Sequence, residues 1–269
     1  MPESPQWLMS QGRKSDASKA LVVFRGTEYD ITTELATMQK NAEETATRKT
    51  SKADLINTRG ARIALAAALG LLAFQQLTGV NAVIFYTNAI FLAAGSSLNP
   101  DIASIVVALV QTVMSVVAAL IIDKAGRRTL LMGSSSVLAL CLFLLGLYFH
   151  LDLTSVGWLP LLSLAVFMVA FSLGFGPVPW MMAAELFPVE TRGTASVIAV
   201  MVNWISAFVV TKFFTTLRDT FGPGITFWIF TGIMVVATIF VFFVVPETRG
   251  KSLQRIQDEL NGKNRNGVA

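Results

Sequence analysis

The chain has 269 residues, 54% of them hydrophobic, with a mean hydropathy of +0.61 and only 14% charged residues. Soluble domains carry roughly 25% charged residues, so these figures exclude an ordinary water-soluble enzyme or scaffold. The net charge of +4 is not a nucleic-acid signature either, because the aromatic residues lie in apolar runs and not among the Lys and Arg residues.

Residues 1–60 are polar and mixed in charge. The spacing of Ile31, Leu35 and Met38 predicts a helix, with Asp30 or Thr32 as its N-cap. Gly26 is placed to end a short preceding helix through Ala20 to Phe24. This segment reads as short amphipathic helices on the cytosolic face; the alternative is a disordered linker. No signal peptide is visible at Met1-Pro2-Glu3-Ser4, and the first long apolar stretch is expected to serve as an internal signal anchor.

Six apolar segments follow, near residues 61–94, 102–122, 130–149, 158–182, 194–217 and 226–245. Each meets the roughly twenty residues that a helix needs to cross a hydrocarbon core about 30 Å thick. The expected fold is therefore an all-α membrane protein with a six-helix transmembrane bundle over 61–246 and a cytosolic tail over 247–269. The first segment is too long for a straight perpendicular helix and must tilt, break or extend into an interface. Gly79 sits near its middle. The fourth contains Gly174-Phe175-Gly176-Pro177-Val178-Pro179-Trp180, where two prolines remove backbone donors and two glycines loosen the helix. Such a break is tolerated where it lines a cavity, and it points to a transport site. A static kink is the plainer alternative.

Loop charges orient the bundle. Lys124, Arg127 and Arg128 follow the second span, Arg192 follows the fourth, and Arg249, Lys251, Arg255, Lys263 and Arg265 follow the sixth. The loops 95–101 and 150–157 hold no Lys or Arg, and the third opposite loop holds only Arg218. Excess positive charge marks cytoplasmic loops, so both termini are expected in the cytosol.

Polar side chains inside the spans are few, and each needs a partner or a water-filled cavity. The first span carries Gln75, Gln76, Thr78, Asn81, Tyr86, Thr87 and Asn88, the second Gln111, Thr112 and Ser115, and the fifth Asn203, Trp204 and Ser206. Gln75, Thr78, Ala82 and Tyr86 recur at helical spacing and line roughly one face. Uncharged amides donate and accept, which suits a neutral polyhydroxylated ligand, and Trp180 and Trp204 could cover its apolar C–H faces. The alternative is interhelical bonding that only holds the bundle together. Cys141 reads as a small buried hydrophobe and His150 as an interfacial residue. At the cytosolic ends, Asp123 precedes Arg127 and Arg128, Glu185 precedes Arg192, and Glu247 precedes Arg249. These charges either bias one conformation over another or simply set topology. No nucleophile–base set, metal-ligand cluster or phosphate-binding loop is present, so no catalysis, metal or cofactor is expected.

These residues resemble the sugar porters of the major facilitator superfamily over essentially the whole chain. Pro2-Glu3-Ser4-Pro5-Gln6-Trp7-Leu8 is similar to the PESPRWL signature, with Gln6 where Arg is usual. Gln75-Gln76-Leu77-Thr78-Gly79-Val80-Asn81 resembles QQLSGxN, and Asp123-Lys124-Ala125-Gly126-Arg127-Arg128 resembles the D/E-x-x-GRR loop. Gly176-Pro177-Val178-Pro179-Trp180 with Glu185-Leu186-Phe187-Pro188 resembles GPxPW…ELFP, and Pro246-Glu247-Thr248-Arg249-Gly250 resembles PETRG. The texture is most similar to insect facilitated trehalose transporters.

The resemblance implies that Gln75, Gln76, Asn81 and Gln111 contact sugar hydroxyls. It implies that Phe171, Trp180, Asn203 and Trp204 complete that wall, with Tyr86 beside them. It also implies an inner gate of Asp123, Arg127, Arg128, Glu185, Arg192, Glu247 and Arg249. Phe85, Ser172 and Ala207 depart from the polar residues of glucose facilitators, which leaves a less polar cavity. The family has two six-span halves, and this chain matches the C-terminal one. The implied function is facilitative transport of trehalose or another small sugar, in the plasma membrane, with a complementary N-terminal half or self-association supplying the second wall. A non-transporting half-protein and a proton-coupled symporter remain the alternatives.

Overall fold

A computed structural model describes residues 2–26, 29–47, 58–93, 99–187, 189–251 and 253–261. Pro188, Lys263, Arg265 and most of the loop 95–101 lie outside the described residues. Among the described residues every regular element is helical. The chain divides into two compact units, Met1–Lys52 and Ala53–Ala269.

The first unit holds α1 (Pro5–Ser10), α2 (Lys14–Arg25) and α3 (Thr32–Thr47). Pro5 opens α1, where its missing N–H costs nothing. Gly26, at φ 90, ends α2, which begins six residues earlier than the sequence pattern suggests. The Asp30 carboxylate accepts the Thr32 N–H at 3.0 Å, as a residue capping α3 should. Leu8, Met9, Ala17 and Ala20 are buried with Leu35 and Met38 against them, and Arg25 pairs with Glu34 at 2.9 Å.

The second unit is the apolar bundle. It comprises α4 (Arg59–Leu77), α5 (Val80–Ala93), α6 (Pro100–Ala125), α7 (Arg127–His150), α8 (Leu159–Leu173), α9 (Val178–Glu185), α10 (Val189–Val244) and α11 (Leu253–Leu260). Taken through their breaks, five stretches are long and apolar enough to cross a membrane: Arg59–Ala93, Pro100–Ala125, Arg127–His150, Leu159–Glu185 and Thr191–Val244. The last is two spans. Gly222, at φ 80 and ψ 161, is non-helical, and Pro223 opens the second arm. The expected loop around Arg218 is thereby reduced to one glycine, because a single left-handed residue followed by proline suffices to turn the chain.

Helices are the only open-ended structures that satisfy every backbone group in hydrocarbon, which is why six apolar runs become six spans. α10 packs most extensively on α7 and α4, and α8 packs on α6 and α7. Small residues set the closest approaches: Ala64, Ala67 and Ala68 of α4 are fully buried, and a Cβ at Gly70 would overlap the Phe240 ring. The core runs through Leu71, Leu131, Leu138, Phe167, Phe214, Phe227 and Met234. α6 by contrast exposes Ile102, Ile105, Leu109, Val116 and Leu120.

Both ends of the bundle meet. α11 buries Ile256 and Leu260, and the Asn261 Oδ1 accepts the Gly60 N–H at the start of α4 at 2.9 Å. An even number of crossings puts both ends on one side, which makes this contact possible.

Candidate functional site

Both expected breaks are present. α4 ends at Leu77 and α5 begins at Val80, with Gly79 at φ 82 between them. Thr78 repairs the gap: its Oγ1 donates to the Gln75 carbonyl at 2.8 Å and accepts the Val80 N–H at 3.0 Å. α8 ends at Leu173 and α9 begins at Val178. Ser134 on α7 repairs this second gap, donating to the Ala170 carbonyl at 2.8 Å and accepting the Phe175 N–H at 3.3 Å.

The two breaks are joined by one side chain. In an unbroken helix the Phe175 carbonyl would accept from residue 179, but that residue is proline and has no N–H. Gln75 supplies the donor instead. Its Nε2 reaches the Phe175 carbonyl at 2.8 Å and the Gly176 carbonyl at 2.6 Å. Asn203 on α10 donates to the Gln75 Oε1 at 2.8 Å and to the Leu72 carbonyl at 2.9 Å. Gln76 donates to the Asn203 Oδ1 at 3.0 Å, and Asn81 donates to the Gln76 Oε1 at 2.6 Å. Four amides predicted from two separate spans thus form one cluster. Gln75, Gln76 and Asn203 are buried, and Asn81 is half-buried.

The other predicted wall residues divide by exposure. Trp180 is 41% exposed and Trp204 65%, so both offer open ring faces. Phe171 is buried; its backbone carbonyl accepts the Gly176 N–H at 2.7 Å inside the α8–α9 break. Tyr86 is half-buried and stacks on Phe214, with ring centroids 5.2 Å apart. Gln111 lies half-buried on α6, and no bond among the described residues joins it to the amide cluster. The face of Gln75, Thr78 and Ala82 points into the bundle, since all three are buried. Ser172 is also buried, with no hydrogen-bond partner for its hydroxyl among the described residues.

At the charged end, Arg127 pairs with Glu185 at 3.1 Å and with Asp123 at 3.3 Å. The Glu247 carboxylate accepts the backbone N–H groups of Arg127 at 3.0 Å, Arg128 at 3.1 Å and Arg249 at 2.9 Å. It therefore caps α7 and places an anion at that helix's positive end. Gly126, at φ 86, makes the turn from α6 into α7, and a Cβ there would stand 2.9 Å from the Glu247 Oε2. The Arg128 guanidinium donates to the Phe242 carbonyl and lies 5.4 Å from that ring's centroid, while its Nε is buried without a partner among the described residues. Arg192 donates to the Phe187 carbonyl at 3.1 Å, so it closes the end of the α9 segment rather than joining the Arg127 cluster.

Two participants escaped the sequence reading. Thr248 donates to the Glu185 Oε2 at 2.5 Å and contacts the Met182 Sδ at 3.4 Å, linking the tail of α10 to α9. Its position inside the Pro-Glu-Thr-Arg-Gly run was the available signal. Ser134 had none, because its partners are 36 and 41 residues away.

Broken apolar spans around a buried, uncharged amide cluster, with most of the bundle's ion pairs gathered at one end, define a polytopic helical membrane protein with a polar centre. The chain belongs to the family described as sugar (and other) transporters, whose model matches residues 1–260. It is 43% identical to the facilitated trehalose transporter Tret1 of Apis mellifera ligustica, over 97% of this chain and 53% of that protein. It is 42% identical to Tret1 of Drosophila mojavensis, over 98% of this chain and 31% of that protein. Among solved structures it resembles the major facilitator superfamily proton:xylose symporter XylE bound to 6-bromo-6-deoxy-D-glucose. That match has a TM-score of 0.77 and 28% identity, and covers 97% of this chain and 55% of that one. The chain thus spans about half the length, or less, of the curated relatives it matches. The fold is one six-helix half of a major facilitator bundle, set in the membrane.

Proposed function

We propose that this chain supplies one wall of a facilitative passage for a small neutral sugar, with trehalose the leading candidate. The carrying observation is the amide cluster that joins two broken spans: it is polar, uncharged and buried within an apolar bundle. Uncharged donors and acceptors match hydroxyl groups without the desolvation cost of an ion. Asn81 is the member nearest to open space, and Trp180 and Trp204 supply exposed aromatic faces for the sugar's C–H surface. Gln75, Gln76, Gln111, Phe171, Tyr86 and Asn203 complete or support that wall. The substrate name is taken from the Tret1 relatives.

A site with one wall needs a second, from a complementary six-span half or from another copy of the chain. Rocking of the halves then exposes the site alternately. Arg127, Asp123, Glu185, Glu247 and Thr248 hold three helix ends together and would act as the inner latch. Basic residues concentrate at this end, which favours placing it and the termini in the cytosol; the plasma membrane is the location that the sugar-carrier reading implies.

The test is equilibrium binding of radiolabelled trehalose to the chain in lipid nanodiscs, with uptake into proteoliposomes measured in parallel. We expect saturable binding that falls at least tenfold in Gln75→Ala and Asn81→Ala. Equal binding in all three proteins removes the assigned site.

A further inference from the structure

We propose that the exposed face of the first arm of α10 docks on the complementary six-span half, and that Lys212 forms an ion pair there with a carboxylate of that half. This rests on the reading of the chain as one wall of a passage, while the contact itself is read from α10.

The first arm runs from Val189 to the turn at Gly222. Lys212 is its one charged residue between Arg192 and Arg218. It is exposed, and no hydrogen bond or ion pair holds it among the described residues. Met201, Ile205, Phe208 and Thr216 flank it at steps of three or four, and all are exposed. Asn203, Ala207, Val210 and Phe214 form the opposite, buried face. Lys212 therefore stands in the middle of a mainly apolar stripe that points away from the chain's own core.

Lipid does not satisfy this cation. Gly222 lies ten residues further on, about 15 Å along the helix axis, and Arg218, the next charged residue, about 9 Å. A four-carbon stem is too short to carry the ammonium that far, and ionisable groups at such depth face a cavity or a counter-ion.

A second copy does not satisfy it either. Two copies inserted the same way share one orientation, so a symmetric contact through this stripe sets Lys212 beside its own counterpart at equal depth. Like charges repel most where water is absent. A carboxylate on a different surface balances the ammonium. The chain covers 53% of Apis Tret1 and 55% of the solved XylE chain, which leaves in proteins of that length a second segment of similar size to carry such a surface. Trp204, about two turns before Lys212, is exposed and borders the same stripe, so the stripe looks toward the passage.

The test co-expresses the full chain with the portion of Apis mellifera ligustica Tret1 that this chain does not match. The fraction of that portion retained by a tag on the chain is measured in mild detergent. Wild type and K212R should retain it, K212M should retain at least threefold less, and K212E at least tenfold less. In the chain alone, dodecyl sulfate-induced unfolding should be the same for wild type and K212M, because Lys212 has no partner there. Phe208→Cys in a Cys141→Ala background should give no disulfide-linked homodimer on oxidation. No retention by wild type, or equal retention by wild type, K212M and K212E, overturns the proposal. So does a loss in K212R equal to that in K212M, which would mark packing and not charge, a loss of stability in K212M alone, or a homodimer as the main oxidation product. Radiolabelled trehalose added to the purified complex separates the two readings. Charge-dependent retention without sugar binding leaves the docking face standing and removes the sugar assignment. Sugar binding with retention indifferent to Lys212 does the reverse.

Discussion

Removing the carboxylate of Glu247 should loosen the junction of three helix ends. The carboxylate accepts two N–H groups at the start of α7 and one from Arg249. Loss of an N-cap costs about 1 kcal/mol, within a range of roughly 0.5–2. Loss of an anion at a helix N-terminus adds about 0.3–1 kcal/mol. Glu247→Ala should therefore destabilise the bundle by about 1–3 kcal/mol, and Glu247→Gln, which keeps one acceptor oxygen, by about half as much. Gly126 sharpens the test. Gly126→Ala forces a non-glycine residue to φ 86 and ψ 138, at a cost of about 1–3 kcal/mol. It also brings a Cβ to 2.9 Å from the Glu247 Oε2, a clash that disappears once Glu247 is alanine. The two substitutions should couple by about 0.5 kcal/mol or more. The assay is dodecyl sulfate-induced unfolding in mixed micelles for the wild type, both single variants and the double variant. The reasoning is refuted if Glu247→Ala lies within about 0.5 kcal/mol of wild type, or if Gly126→Ala costs the same in both backgrounds.

Two further outcomes follow from the same structure. Ser134→Ala removes the one hydroxyl that serves both sides of the α8–α9 break, and should cost about 1–3 kcal/mol in that unfolding assay. The Lys251 ammonium holds the Glu259 carboxyl below its ordinary value of 4.5, chiefly by a direct hydrogen bond at 2.6 Å. A depressed carboxyl contributes stability above its unfolded value and loses it as pH falls through its folded value. Docking of α11 should thus be intact above about pH 4.5 and weaken below it, read as faster amide exchange at Ile256 and Leu260; Glu259→Gln should flatten that pH response.

Much of the architecture is written in one dimension. Apolar runs of membrane length depend only on what hydrocarbon tolerates, so they announce six spans without any knowledge of packing, and the unequal basic charge of the loops sets an expectation for their orientation. The breaks at Gly79 and at residues 174–177 were legible for the same reason: proline and glycine act on their own backbone. So was the choice of uncharged amides in the spans. The turn at Gly222 was read as a longer loop, because sequence shows where polarity rises but not how few residues a turn requires.

Only the tertiary structure decided what the amides do. Helical spacing placed Gln75 on a face with Tyr86 and suggested a lined cavity. In the fold Gln75 is buried and gives its donors to the Gly176 carbonyl and to the Phe175 carbonyl that Pro179 leaves without a partner, about a hundred residues away in the chain. The same holds for Glu247, read as one charge among several and found capping α7, and for Arg192, read with that charged group and found on the Phe187 carbonyl. Composition establishes that a buried polar group must find a partner. Which partner it finds, and so which atoms remain to face a ligand, depends on distances between residues far apart in sequence, and those exist only once the helices have packed.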